Sequence, residues 1–411
     1  MPDAGHSLGV AAGVVLAGAV LFSALQTVVL PRGGFTGITR FVFAVADRVF
    51  VSHGHRRPVP KRFSSLYAPV ALVSLPFAWC MLVTFAFALI FWGLDEGPFY
   101  DAFVVSGSSL FTLGFAKPDG AGLTWLTFVE ATIGLGLVAL LISFLPTLYA
   151  AYSDRERGVG LLEPLVGTPP SAVELLRRLH VAHSVDGATV WTPASEWFVA
   201  LAQSHTAFPA LCSFPSQQPG LSWVVTAGTV LDGAALRLSL FHGDRRVGAD
   251  TRGPTTADIA PAVLVLAHGI PAMGRVARSA GLDVPEPASL IDLLAAAGDD
   301  LPTISVTRDE YERAVREMVA SGVAGDAATG PAATTTPESA DTGADTGLGT
   351  DAIDTDRGWR RFVWLRSGYD TAVTGLAGHT RAPAAPWTSD RALHVGRPRF
   401  FRRRPLPLDH P

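Results

Sequence analysis

Few residues in this chain could act as acid, base or nucleophile, and they are scattered. Glu196, His205 and Asp232 could be assembled into an acid/base site, and Ser204 adjoins His205. Such chemistry is recognised by a nucleophile elbow, a phosphate-binding loop or a metal-spaced pair, and none accompanies them. His205 therefore reads as a hydrogen-bonded structural histidine. His53 and His55, in SHGHRRP, are metal-ligand types placed in a basic loop, where histidines are ordinarily solvated. Of the two cysteines, Cys80 falls in an apolar span and Cys212 in the soluble part, which argues against a disulfide framework and leaves no C-x-x-C metal site. The soluble part then belongs in a reducing compartment. GVGLLEPLVG lacks the G-x-G-x-x-G spacing of a dinucleotide site. The expectation is a protein that is not an enzyme and has no resident cofactor.

Residues 106–120, SGSSLFTLGFAKPDG, carry a different chemistry. The stretch is too polar and glycine-rich to cross a bilayer, yet it lies between two of the most apolar segments of the chain. Phe99, Tyr100, Phe103, Val104, Val105, Leu110 and Phe111 make its neighbourhood too apolar for a free external loop. Non-helical backbone at membrane depth is tolerated only where protein buries it or it lines a water-filled path. The stretch is therefore read as a short helix ending near Phe111, followed by a loop that enters the membrane and returns on the same side.

The elements that must position it are apolar. The chain has 411 residues, 48% hydrophobic and 17% charged, with a net charge of −4. These values suit a membrane domain joined to one soluble domain, and the weak charge argues against nucleic acid. Three segments are long enough to span a bilayer, at 8–30, 66–94 and 123–152. The first could be a signal peptide, but its leader MPDAGHS has no Lys or Arg and no clear cleavage site follows, so a retained helix is expected. Arg32, Arg40, Arg48, Arg56, Arg57, Lys61 and Arg62 separate the first two spans, and SDRERG follows the third, whereas DEGPFYD after the second holds only acids. The positive-inside rule places 31–65 and everything after 152 in the cytoplasm, with the N-terminus and 95–122 outside. No span carries regularly spaced arginines, so no voltage sensor is expected.

The domain reading is a first helix within 1–34, a basic segment 35–65, a membrane core 66–156, a helical cytoplasmic domain 157–321, an acidic linker 322–358 and a C-terminal helix with basic tail 359–411. FTGITRFVFAVADRVF in the basic segment is either an amphipathic surface helix or an ordinary connecting helix. Ser171 and Glu174 stand in capping-box spacing. Residues 221–240 are apolar at helical spacing, but Asp232 and Arg237 favour a buried core helix over a further span. Trp191, Trp197 and Trp223 read as helical core, not as a ligand cage. The linker is rich in small residues, Thr and acids and is expected to be disordered. The tail RPRFFRRRPLPLDHP is either solvated or held at anionic lipid.

Span, short helix, glycine-bearing loop, span: with SLFTLGFAKP at 109–118, this resembles the tetrameric potassium channel superfamily. Thr112, Leu113, Gly114 and Phe115 stand where the family's T-V-G-Y-G-D signature has its first four residues. The resemblance covers roughly 66–156 and implies a re-entrant pore helix and filter loop between two spans; with the first span and the helical soluble part outside it, the expected fold is an all-α membrane protein with three transmembrane helices and an α-helical cytoplasmic domain. The resemblance also implies a homotetramer in the lipid bilayer, whose filter from Thr112 to Ala116 passes K⁺ through backbone carbonyls and the Thr112 hydroxyl. Gly134, Gly136 and Pro146 would be hinge or kink points of the inner helix, and Glu130 would face protein or water near the pore. Segment 196–236 also resembles the cytoplasmic part of bacterial proteins in the ion-channel "two-pore domain" group, although one pore loop is present here. Two positions depart from the signature. Ala116 replaces its second glycine, which predicts left-handed strain there, and Lys117 replaces its aspartate, a cation at the mouth that Asp95, Glu96, Asp101 and Asp119 could offset. The alternative is a non-conducting membrane sensor or scaffold acting through the cytoplasmic helices.

Overall fold

The structure, a computed structural model, describes residues 4–28, 67–95, 97–182, 188–216, 220–241, 256–296, 298, 300–323 and 355–391, with isolated positions between 37 and 45. Most of the basic segment, His53, His55, the linker from 324 to 354 and the tail lie outside the described residues. No strand occurs among the described residues, so the fold is all-α. Among the described residues four helices are long and apolar enough to cross a membrane: Ala4–Val28, Ser74–Asp95, Ala121–Val166 and Ala260–Ser279. The sequence reading anticipated the first three. The chain divides into two compact units, 1–152 with 206–214, and 153–205 with 215–411.

The first unit holds α1 (Ala4–Val28), α2 (Tyr67–Asp95), α3 (Phe99–Leu110) and the first part of α4 (Ala121–Val166). α1 and α2 pack antiparallel through glycine. A Cβ on Gly13 would lie 2.5 Å from the Ala86 carbonyl oxygen, and one on Gly93 2.5 Å from that of His6. Gly9, Gly13, Ala17 and Ala24 give α1 a small-residue seam on which Val83, Ala86 and Ile90 close. In lipid, where burial of apolar surface drives nothing, such close backbone approach is what holds helices together.

α4 is longer than its apolar stretch. Its 46 residues rise about 69 Å, more than twice a bilayer core. The charges of SDRERG, expected to end the span, lie within the helix, where Asp154 and Arg157 are exposed and 3.5 Å apart while Arg155 turns into the second unit. Arg155 is 1% exposed, donates to the Pro215 carbonyl at 3.3 Å and lies 5.6 Å from the Trp223 ring.

The second unit also holds α5 (Ala172–Val181), α6 (Ala188–Ala207), α7 (Trp223–Phe241), α8 (Thr256–Ser279), α9 (Leu290–Ala295), α10 (Arg308–Ala320), α11 (Thr355–Ser367) and α12 (Asp370–Thr380). α7 is the buried core helix expected at 221–240, covered by α5, α8, α11 and α12. Trp191, Trp197 and Trp223 belong to this packed interior. The one C-terminal helix foreseen is two, because the chain turns at Gly368, where a Cβ would meet Leu293 at 2.8 Å. α11 starts at Thr355, inside the segment read as linker, with Asp356 paired to Arg308. The box predicted at Ser171 does not form: Glu174 turns instead to Arg177, at 2.7 Å, and to Arg178. A capping box does form at Thr307 and Glu310.

Arg366 ties the C-terminal helices to the core. Fully buried, it pairs with Asp232 and with Asp370 (2.9 Å) and donates to the Trp387 carbonyl, while the Tyr369 hydroxyl donates to Asp232 at 2.7 Å. Burial opposes the charge on Arg366, but Asp232 and Asp370 outweigh it and hold the guanidinium protonated. Removing one partner of such a pair leaves a buried charge unmatched, so Arg366→Met should cost about 3–5 kcal/mol. Adding Asp232→Leu should recover part of that loss, as read by denaturant unfolding of the full chain in detergent. In the first unit, Gly13→Leu should lower stability by about 1–3 kcal/mol, the usual penalty of overpacking, read as a lower melting temperature.

Candidate functional site

α3 descends between α2 and α4. It starts after Pro98, with Asp101 in its first turn, where a carboxylate favours the helix dipole. Phe99 packs on Phe85 and Trp92, with ring centroids 5.8 and 6.3 Å away. Farther in, Ser106 meets Thr84, about 16 Å back along α2 from Asp95. Leu110 meets Gly134, about 20 Å along α4 from Ala121. The short helix thus ends well inside the bundle.

One hydrogen-bond chain joins the three helices at that depth. The Ser106 hydroxyl lies 2.8 Å from the Thr84 carbonyl oxygen and is hydrogen-bonded to Glu130 Oε1. Glu130 is completely buried, and its Oε2 has no partner among the described residues. Its partner is a serine the sequence reading did not single out.

The loop 111–120 is organised by Ser108. The Ser108 carbonyl accepts from the Leu113 and Gly114 amides at 2.8 and 3.4 Å, and its hydroxyl accepts from the Ala116 amide at 3.0 Å. The Thr112 amide donates to the Ser109 carbonyl at 3.0 Å. Four amides of the stretch 112–116 are therefore turned back onto the short helix. Among the described residues no donor reaches the carbonyl oxygens of Thr112, Leu113, Gly114 or Phe115. The loop's amides are thus held by α3, while these four carbonyl oxygens accept no hydrogen bond among the described residues.

That geometry needs left-handed backbone, and its location corrects the sequence reading. Positive φ falls on Thr112 (54°) and Gly114 (74°), not on Ala116. Ala116 escapes because its amide is held by the Ser108 hydroxyl. Thr112 instead carries the strain, about 1–2 kcal/mol for a residue with a Cβ. Leu113 and Phe115 are 61% and 69% exposed. Lys117 and Asp119 are exposed beside them, and Lys117 makes no ion pair among the described residues.

The hinge candidates differ from one another. A Cβ at Gly134 would lie 2.2 Å from the Leu110 carbonyl oxygen, so this glycine is required for α4 to pass the end of α3. Gly136 has nothing within 4 Å, and Pro146 is exposed within the continuous helix. Of the acid/base candidates only Ser204 and His205 meet, with Ser204 Oγ 3.1 Å from His205 Nδ1, and the Ser204 hydroxyl also donates to the Ala200 carbonyl at 2.8 Å. Asp232 is occupied by Arg366. His205 is fully buried, with Nδ1 3.0 Å from the Leu201 carbonyl oxygen and its ring 4.9 Å from Trp223. Glu196 joins neither in any hydrogen bond or ion pair among the described residues. No group of three or more His, Cys, Asp or Glu with metal-site spacing occurs there either.

Comparison with protein-family models, curated proteins and solved structures finds no match to this chain.

Burial, helped by the nearby Arg155, pushes the His205 imidazole down to about 3. The unfolded chain binds this proton below about pH 6.5 and the folded one does not, so stability falls as pH drops from 6.5 towards 3. The slope from this group is about 1.4 kcal/mol per pH unit. His205→Phe should remove this contribution, leaving the acid limb of the melting-temperature profile shallower than the parent's between pH 6 and pH 4.

Proposed function

We propose that this protein is a membrane cation channel, conducting K⁺ as a homotetramer through the loop Thr112–Ala116. The observation that carries the reading is the separation within that loop, with amides bonded back to α3 and four carbonyl oxygens left without donors. Four such loops around an axis would replace the hydration shell of the ion, with the Thr112 hydroxyl at the base. One chain supplies one loop, and the exposed Leu113, Phe115, Leu135, Val138 and Ile142 offer apolar surface for other copies and for lipid. In the orientation set by the basic residues, the N-terminus and the loop lie outside and the helices beyond 152 are cytoplasmic. α4 is the inner helix, Gly136 is the freer of the two hinge candidates Gly134 and Gly136, and the second unit gates the pore through it.

One feature favours the competing reading of a non-conducting sensor or scaffold working through the cytoplasmic helices. Four Lys117 ammonium groups at a narrow mouth repel cations, with the acids of 95–101 and Asp119 set against them.

Cation flux into liposomes containing the purified protein separates these readings. The channel predicts faster K⁺ than Na⁺ flux, abolished by Gly114→Asp, which places a side chain on left-handed backbone and a carboxylate in the ring. Equal rates for the two ions would remove the selectivity claim. No flux from an intact tetramer would remove conduction itself.

A further inference from the structure

The first unit contains one segment from far downstream, Thr206–Phe214. It comprises the end of α6, Phe208, a 3₁₀ turn at Pro209–Ser213, and Phe214. It lies along α4 on residues 144, 148 and 152, which fall on one face of the helix. The Phe144 and Phe208 rings meet nearly edge-on, 5.6 Å between centroids, and the Tyr152 and Phe214 rings lie 5.8 Å apart. Between them Leu148 packs with Ala210 and Leu211, all buried. This contact is two helical turns long and begins beyond Gly134 and Gly136, on the part of α4 that must move if the inner helix is to bend at those glycines.

Both ends of the segment continue directly into the second unit, and both are held there. His205, before it, is sealed against Trp223 and bonded to the Leu201 carbonyl. Pro215, after it, receives the Arg155 guanidinium, and Ser216 bonds Glu156 at 3.3 Å. A segment fixed at both ends shifts only when its anchors shift.

We propose that Thr206–Phe214 is a strap by which the second unit regulates the pore. While Phe208, Leu211 and Phe214 are seated on Phe144, Leu148 and Tyr152, the cytoplasmic half of α4 is held in one position; lifting the strap frees it to bend and open. The inference rests on the channel reading and names the regulation of that site.

The test is K⁺ flux per tetramer in liposomes for the parent chain, Phe208→Ala, Phe208→Leu, Phe144→Ala and the Phe144→Ala/Phe208→Ala pair. Phe208→Ala should raise flux about two- to tenfold, the factor that loss of one aromatic pair supplies. Phe144→Ala should do the same from the other side of the contact. The double variant should add nothing further, because both remove one interaction. Phe208→Leu, which keeps apolar volume, should return flux towards the parent rate. Parent flux left unchanged or lowered by both alanine variants overturns the strap and spares the pore. Absence of flux from every chain, including those with the strap weakened, overturns the pore reading and the strap with it.

Discussion

A buried hydrogen-bonding group left without a partner costs about 1–3 kcal/mol, and two serines of α3 supply partners where the helices of the first unit meet. Ser106 joins the Thr84 carbonyl on α2 to the Glu130 carboxyl on α4. Ser108 gathers three amides of the loop that follows. Without the first, Glu130 would lose its hydrogen-bond partner on α3. Without the second, the Leu113, Gly114 and Ala116 amides would lose their acceptors. Gly134 completes the arrangement by letting α4 pass within reach of the Leu110 carbonyl.

The second unit solves a related problem by a different route. α7 is apolar enough to resemble a span, but Asp232 on it is answered by Arg366 and Tyr369 from helices more than 120 residues later. A buried charge of that kind fixes which helix packs where, because any other arrangement leaves the carboxylate unmatched. The same logic applies at Arg155 of α4, a buried charge answered by the neighbouring Glu156 and the Pro215 carbonyl.

How much of this could be read beforehand depended on the range of the interactions. The first three long apolar helices and the short one before the loop were legible, because length, hydropathy and the half-polar SGSSLF stretch are local signals. Glu130 was legible as a residue needing a partner, but Ser106 was not, since nothing near either position names the other. The fourth apolar helix, Ala260–Ser279, was passed over; Pro261, Pro271, His268 and Arg275 interrupt its pattern. Ser171 and Thr307 carry the same capping signature, yet only Thr307 forms the box, because Arg177 and Arg178 capture Glu174 first. The strain expected at Ala116 came from matching the loop to a signature position by position. The hydroxyl of Ser108, invisible to that matching, moved the left-handed residue to Thr112.

The central claim is that four loops from Thr112 to Phe115 present their carbonyl oxygens to a cation on a common axis. The most direct measurement is an experimental map of the purified tetramer prepared with thallium in place of potassium. The account predicts anomalous density on the fourfold axis, at the level of the Thr112, Leu113 and Gly114 carbonyls. An axis with no ion there, or subunits that associate through another face and leave the loops apart, would contradict it.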